Sequence, residues 1–267
     1  MKRSSNNPIL LMAPAAAGVA STVLDLAKRG SVAEKLERLG AASLETLLNA
    51  IDANDPVTGA HVRRVARYAL VLVDFMELDS HMCHVVERVA LFHDIGKIHE
   101  ALFDVIHDDH KLNRRERWEV RTHPARGAKV LEPLGSFYPD LPKGVIAHHE
   151  RWNGSGYPLG LSKTEIPLSA RIVAIADTFD AITHSRRYRT GRSFEVGMKA
   201  IGEGLGTEFD PELVDLFLLP PVLACIRSEM HSAKIAEHSP RGRRHSSETG
   251  KVGAPDVSFR WRNSSPL

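Results

Sequence analysis

The stretch Val89-Ala-Leu-Phe-His-Asp-Ile-Gly-Lys97 decides the fold, because an apolar helix runs directly into two ligand-type side chains, His93 and Asp94. Adjacent helical residues point about 100° apart, since 3.6 residues make one turn. Both side chains can therefore reach one metal region only where the helix faces a pocket. Lys97 follows His93 by four residues and Asp94 by three, which places it on the same helical face.

Segments on both sides of this stretch have the period of amphipathic helices. Apolar residues recur every three or four positions in Leu44–Ile51, Val62–Val73, Val85–Phe92, Ala170–Ile182 and Glu195–Ile201. Sustained strand-like alternation is missing, and the single Asn-Gly pair, Asn153–Gly154, lies in a loop rich in glycine and proline. The predicted fold class is all-α.

Composition restricts the class of protein further. The chain has 267 residues and a net charge of +2, which gives no general attraction for nucleic acids. No apolar run approaches the roughly eighteen residues of a membrane span, and the apolar run Ile9–Ala20 only loosely resembles a secretory signal. The two cysteines, Cys83 and Cys225, form no CxxC pair and fit a reducing compartment. We expect a cytoplasmic protein without a membrane span or a nucleic-acid partner.

The chain divides into three predicted parts. Residues 1–40 are a variable leader with one helix near Leu24–Leu39, and residues 41–228 form the main domain. Residues 229–267 are rich in serine and arginine, which predicts a basic, disordered tail.

Three more strings follow the first one in order. They are His148-His-Glu-Arg-Trp-Asn-Gly-Ser-Gly-Tyr-Pro158, Ile166-Pro-Leu-Ser-Ala-Arg-Ile-Val-Ala-Ile-Ala-Asp177 and Gly206-Thr-Glu-Phe-Asp-Pro211. With these blocks, the chain resembles the HD-GYP subgroup of the HD-domain phosphohydrolases from about Asn54 to Leu218. The resemblance implies an HD-domain helical bundle with a C-terminal GYP extension, and it makes residues 41–228 the catalytic domain.

The resemblance also implies a set of metal ligands. They are His61, His93, Asp94, His123, His148, His149 and Asp177. These side chains are too many for one coordination shell, so two divalent ions are expected. Imidazole and carboxylate donors suit iron or manganese, with zinc as an alternative. Asp94 is the expected bridging ligand, because a carboxylate has one oxygen for each ion. Without the resemblance, His61 would be read as a surface or capping residue and His123 as a loop histidine.

Asp94 and Lys97 are the expected catalytic residues, and Lys97 can neutralise a phosphate oxygen or the departing alkoxide. Arg186 and Arg189 match family positions that contact substrate phosphate, which the guanidinium fork suits, although a solvated basic turn is the alternative. Tyr157 and Asp55 are the remaining expected substrate contacts.

Three positions depart from the family pattern. Val57 stands where some members have a glutamate that binds a third metal, and this favours a two-metal site. Asn153 replaces the usual aspartate, and Arg187 replaces the usual proline. None of the three changes removes a ligand.

The expected activity is hydrolysis of cyclic di-GMP to linear pGpG, with GMP as a further product. A non-catalytic cyclic-dinucleotide sensor or partner-binding module on the same fold is the main alternative. A phosphohydrolase acting on another nucleotide is the third. The sequence leaves a signalling partner or a homodimer open.

Overall fold

The structure is a computed structural model that describes residues 32–98, 113–185 and 190–238. Ten α-helices lie in these ranges: α1 Val32–Asn54, α2 Pro56–Phe75, α3 Ser80–Phe92, α4 Arg114–Val120, α5 His123–Leu131, α6 Asp140–Ala147, α7 Leu168–Thr183, α8 Phe194–Glu203, α9 Pro211–Phe217 and α10 Pro220–His238. Short 3-10 helices occupy Ile95–Ile98, Glu132–Leu134 and Lys163–Glu165. The described residues contain one isolated β-bridge and no strand. The all-α prediction is confirmed.

The chain forms two compact units, Met1–Asn49 and Ala50–Leu267. Of the first unit, residues 32–49 are described, and they are helical. The helix expected near Leu24–Leu39 lies partly outside the described residues, and its described part belongs to α1. The predicted boundaries at 40 and 228 both fall inside helices, and the division into three parts stays a prediction.

The expectation that a disordered tail begins at residue 229 needs correction. Helix α10 continues to His238, and Met230 and Ala233 on it are buried. Burial of these apolar side chains extends the helix beyond the point where the sequence pattern weakens. The rest of the predicted tail, residues 239–267, lies outside the described residues.

The core of the second unit is built around α2 and α7. These two helices pack on each other, α3 packs on both of them, and α10 packs on α2. Where α2, α7 and α9 meet, three aromatic side chains are fully buried, those of Tyr68, Phe179 and Phe217. The Phe179 ring lies edge-on to the other two, at centroid distances of 5.6 Å and 5.3 Å, an arrangement that aromatic rings favour.

Two local features position the later site. The carboxylate of Asp55 accepts hydrogen bonds from the backbone of Val57 and Thr58 and so fixes the start of α2. Gly144 brings α6 close to α3, because an added Cβ there would lie 2.4 Å from Val89 Cγ2. Among the described residues, no helix has the length and apolar character that a membrane span requires.

Candidate metal centre

The predicted ligands come from five helices and their ends. His61 lies on α2, His93 and Asp94 follow the last residue of α3, His123 begins α5, His148 and His149 follow α6, and Asp177 lies on α7. Their donor atoms form two groups, and within each group these atoms lie within 4.8 Å of one another. His123, His148 and His149 form the histidine group, and His61, His93 and Asp177 form the carboxylate group. The structure therefore brings together side chains that are separated by more than a hundred positions in the sequence.

Asp94 lies between the two groups. Its Oδ1 is 3.3 Å from His123 Nε2, and its Oδ2 is 3.5 Å from His93 Nε2. Lys97 Nζ lies 2.7 Å from Oδ2. Burial alone raises the pKa of Asp94, but the charges of Lys97 and His93 hold this pKa well below its ordinary value. The ionised carboxylate thus presents one oxygen to each group, as a bridging ligand must.

Gly96 allows the two groups to approach each other. A Cβ added at Gly96 would lie 2.1 Å from the carbonyl oxygen of His123 and 2.6 Å from the backbone nitrogen of Gly127. Since no side chain fits there, the 3-10 turn after Asp94 packs directly on the start of α5. The glycine between Asp94 and Lys97 is therefore part of the geometry of the centre.

Three of the histidines are oriented in the same way. Nδ1 of His93, His123 and His148 lies 2.8 Å, 2.7 Å and 2.7 Å from the carbonyl oxygens of Ala90, Val120 and Val145, respectively. A carbonyl oxygen can only accept, so each Nδ1 carries the proton and donates it. When such a ring is neutral, its proton is on Nδ1 and its unprotonated Nε2 faces the centre, which is the tautomer that a metal ligand needs.

The histidine group fits a cation better than it fits a network of hydrogen bonds. His123 Nε2 and His148 Nε2 face each other at 3.1 Å, although neither nitrogen has a proton to share. Burial lowers the pKa of His123 to about 3, aided by the charge of Lys97, and burial next to His149 lowers the pKa of His148 well below its ordinary value. Burial also lowers the pKa of His149 to about 4. A cation between two neutral rings would remove the repulsion of their facing lone pairs.

Two further buried atoms support the binding of a metal ion by these residues. His93 Nε2 and Asp94 Oδ1 are buried, and within the described residues neither has a hydrogen-bond partner. Buried polar atoms without a partner are rare in folded proteins and call for an explanation. Both atoms belong to predicted ligands, so coordination by a metal ion would satisfy them.

His61 lies between two carboxylates. Its Nε2 is 3.2 Å from Asp177 Oδ1, and its Nδ1 is 2.7 Å from Asp180 Oδ2. Burial lowers the pKa of His61, but the hydrogen bonds with Asp177 and Asp180 outweigh it and raise this pKa to about 9. Burial raises the pKa of Asp177, whereas the hydrogen bond with His61 lowers it more strongly. The carboxylate group therefore favours a positive charge. This charge can be a proton on His61 or a metal ion bound in place of that proton.

Tyr157 covers one side of the histidine group. Its ring stacks on His149 at a centroid distance of 5.0 Å and an angle of 29°. The guanidinium of Arg121 lies 4.6 Å from the centre of the Tyr157 ring. Gly156 permits this fold of the loop, because an added Cβ would lie 2.3 Å from the backbone nitrogen of Arg151. An aromatic side chain thus borders the predicted ligands.

The sequence profile of the HD-domain family matches residues 45–213, which is more than half of the chain. The chain belongs to the HD-domain family. A curated relative, the 3'3'-cGAMP-specific phosphodiesterase 2 of Vibrio cholerae, is 36% identical over 174 residues, which are 64% of this chain and 33% of the relative. A probable cyclic di-GMP phosphodiesterase of the same organism is 32% identical over 200 residues, which are 69% of this chain and 45% of the relative. The chain spans less than half the length of these two relatives.

Among solved structures, the crystal structure of a cyclic GMP-AMP specific phosphodiesterase of Vibrio cholerae matches with a TM-score of 0.50 and 21% identity. The match covers 73% of this chain and 59% of that chain, and it supports the fold alone. The resemblance to HD-GYP proteins and the helical bundle of the HD domain are thereby confirmed. A separate C-terminal GYP extension stays a prediction.

The HD domain contains a buried carboxylate that sequence reasoning missed. Asp180 is 2% exposed and lies at the centre of three side chains. It accepts hydrogen bonds from His61 Nδ1 and from Nε of Arg64, at 2.7 Å and 2.8 Å, and His184 Nδ1 lies 2.9 Å from its Oδ1. Burial raises the pKa of Asp180, but these contacts with His184, His61 and Arg64 hold it well below the ordinary value. Its position three residues after Asp177, on the same face of α7, was the available signal.

Glu150 is a second residue of the HD domain that the sequence did not mark. It is buried, and its Oε1 accepts hydrogen bonds from the backbone of Leu159 at 2.6 Å and Gly160 at 3.2 Å. The carboxylate closes the loop that carries Tyr157. In the same loop, Asn153 Oδ1 accepts from the backbone of Ser155, so the amide preserves the turn as expected.

The remaining predicted substrate contacts have different positions. Asp55 is buried and caps α2, and its carboxylate also accepts from the hydroxyl of Thr58 at 2.8 Å. Arg186 and Arg189 lie outside the described residues, as does Arg187. The substrate roles of Asp55, Arg186 and Arg189 therefore stay predictions.

Proposed function

We propose that the chain is a metal-dependent cyclic-dinucleotide phosphodiesterase that hydrolyses cyclic di-GMP to pGpG, with GMP as a further product. The observation that carries the proposal is the pair of ligand groups joined by Asp94. The names of the curated relatives support the substrate class, since they include enzymes for cyclic di-GMP and for 3'3'-cGAMP.

The proposed centre holds two divalent ions, one in each group. Iron or manganese is favoured and zinc is an alternative, because the donors are imidazoles and carboxylates. Bound there, such ions supply Lewis-acid polarisation of the phosphodiester and activation of water. Val57 has no donor atom and is 43% exposed, which supports two ions rather than three.

The chain's own residues supply the remaining chemistry. Lys97 is held 2.7 Å from Asp94 by an ion pair, and its ammonium group is partly exposed, so it can bind a phosphate oxygen or the leaving alkoxide. Tyr157 forms a wall beside His149 against which a substrate ring can lie. Arg186 and Arg189 are proposed to bind phosphate, in keeping with their place in the sequence.

The test is to incubate the purified, metal-loaded chain with cyclic di-GMP and separate the products by chromatography. The expected result is pGpG, with metal content near two ions per chain by elemental analysis. Parallel reactions with 3'3'-cGAMP measure the base preference. Binding of cyclic di-GMP without any product, in protein with full metal content, would instead identify a sensor.

A further inference from the structure

The side chain of Arg121 connects the end of α4 to the loop that carries Tyr157. Its guanidinium carbon lies 4.6 Å from the centre of the Tyr157 ring. A guanidinium within about 6 Å of a ring centre is attracted by the negative face of the ring. The backbone of Arg121 is fixed as well, because its N–H donates to the carbonyl of Arg117 at 3.2 Å. Both the backbone and the charged end of this side chain are therefore held in place.

The Tyr157 ring needs side-chain contacts to keep its orientation. The N–H of Tyr157 donates to the carbonyl of His149 at 3.2 Å, and this bond fixes the backbone of the loop. It leaves the side chain free to choose among staggered rotamers. The ring stacks on His149 and also contacts the guanidinium of Arg121. The cation therefore stabilises the rotamer in which the ring lies on a predicted metal ligand.

Arg121 differs from two other arginines that lie over aromatic rings. Arg171 and Arg227 each also form an ion pair with a carboxylate, Asp210 and Glu195, respectively. Within the part of the chain that the structure describes, Arg121 forms no ion pair. Its charge is therefore directed to the Tyr157 ring rather than shared with an acid.

The acidic residues of α4 are occupied elsewhere. The carboxylate of Glu116 accepts the backbone N–H of Asn113 at 2.7 Å and closes the capping box. The carboxylate of Glu119 accepts a hydrogen bond from Arg126 at 3.0 Å. Helix α4 has no buried residue, so such polar contacts hold it in place. The contact of Arg121 with the ring joins this helix end to the metal centre.

The same contact links the chain segments on two sides of the histidine group. The carbonyl of Val120, directly before Arg121, lies 2.7 Å from Nδ1 of His123. The guanidinium of Arg121 reaches the ring that stacks on His149. One side chain thus bridges from the segment that orients His123 to the loop beside His149.

We propose that Arg121 is a positioning residue of the phosphodiesterase. Its guanidinium holds the Tyr157 ring against His149, and the ring then forms the wall beside which the substrate binds. Arg121 acts through Tyr157 and needs no contact of its own with the substrate. The inference rests on the proposed function, because that function makes Tyr157 a wall for cyclic di-GMP.

The first experiment compares Arg121→Gln with Arg115→Gln in the metal-loaded chain. Arg115 is a matched control, since it is an exposed arginine of α4 and its loss changes the net charge equally. Arg121→Gln should raise KM for cyclic di-GMP about threefold to fivefold, with kcat within about twofold, because a cation–π contact that supports binding is lost. Metal content should stay at the wild-type value. Arg121→Lys should restore most of the loss, because an ammonium group also binds the ring face.

For Arg115→Gln, we expect KM within about twofold of the wild type, since only long-range attraction is reduced. Equal KM values for Arg121→Gln and Arg115→Gln would overturn the proposal. A lower metal content in Arg121→Gln with unchanged KM would assign Arg121 a purely structural role and would also contradict it.

The second experiment is a double-mutant cycle with Tyr157. In a Tyr157→Leu background the ring is absent, so Arg121→Gln should change KM by less than about twofold. In a Tyr157→Phe background the ring remains, and Arg121→Gln should again raise KM about twofold to fivefold. The same loss in all three backgrounds would mean that Arg121 binds the substrate directly, which contradicts a role through Tyr157.

Isothermal titration calorimetry with cyclic di-GMP separates a failure of this inference from a failure of the proposed function. If the wild type binds without hydrolysis and only Arg121→Gln weakens binding, hydrolysis is refuted and the positioning role is supported. If the wild type hydrolyses cyclic di-GMP and the Arg121→Gln and Arg115→Gln variants bind it equally well, the positioning role alone is refuted. A wild type that neither binds nor hydrolyses it refutes both.

Discussion

The histidine group and the carboxylate group differ in how their ligands are held. In the histidine group, His123 and His148 are oriented by backbone carbonyls, at 2.7 Å in both cases. In the carboxylate group, His93 is also oriented by a carbonyl, that of Ala90, but His61 is oriented by a side chain, Asp180, at 2.7 Å. A backbone acceptor survives nearly any substitution, whereas a side-chain acceptor can be removed by one. The two halves of the centre should therefore respond differently to mutation.

The largest effect is expected from Asp94→Ala, which removes the ligand that both groups share. Metal content should fall in both halves, and kcat should fall at least about a thousandfold, because a bound ion supplies several kcal/mol of transition-state stabilisation. Elemental analysis and product chromatography measure the two quantities. Asp215→Ala, at an exposed position of α9, is the control. Full metal content in Asp94→Ala would contradict its bridging role.

Lys97→Ala should leave both halves of the centre loaded and still reduce turnover. We expect kcat to fall about a hundredfold to a thousandfold, because a donor to the developing charge is lost while all ligands remain. Metal content is determined on the same sample, with Lys199→Ala as the control. Activity within about twofold of the wild type would mean that the contact between Lys97 and Asp94 serves only the structure.

Asp180→Asn should weaken metal binding in the carboxylate group and leave it unchanged in the histidine group. Loss of the carboxylate behind His61 should weaken one ion about tenfold to a hundredfold, as substitutions behind a metal ligand generally do. The ion in the histidine group should keep its affinity. Titration of metal into protein that a chelator has stripped of metal should then show one tight site and one weakened site. Asp215→Asn is the matched control. Equal weakening of both ions would show that the halves are not independent.

Gly96→Ala tests the packing that brings the halves together. The added methyl group would collide with the carbonyl of His123, and we expect the free energy of unfolding in urea to fall by about 1–3 kcal/mol. Gly202→Ala is the control, because its added Cβ would meet only Leu218 Cδ1, at 3.6 Å. That helical substitution should be neutral or stabilising by up to about 1 kcal/mol. Equal stability of the two variants would refute the role of Gly96.

The sequence predicted the helices well where their apolar faces are regular, as in Val62–Val73 on α2. It failed at the end of α10, where burial of Met230 and Ala233 extends a helix whose own pattern is weak. Local propensity does not contain this information, because the stabilising contacts come from other helices.

The structure brings the predicted ligands together, yet the residues that orient them were harder to find. Asp180 and His61 are 119 positions apart, and only the fold makes them neighbours. The carbonyls of Ala90, Val120 and Val145 carry no sequence signal at all, since every residue has one.

His123 Nε2 and His148 Nε2 lie 3.1 Å apart, and this contact should make the stability of the protein depend on the supply of metal ions. Without a cation the two lone pairs repel each other, and with one they attract it, so metal binds the folded chain in preference to the unfolded chain. At a hundredfold excess over its dissociation constant, such a ligand adds about 2.7 kcal/mol of stability. Typical domains have only about 5–15 kcal/mol in total. Starvation for the metal should thus expose the chain to cellular proteases, and the melting temperature of chelated against reloaded protein measures that vulnerability.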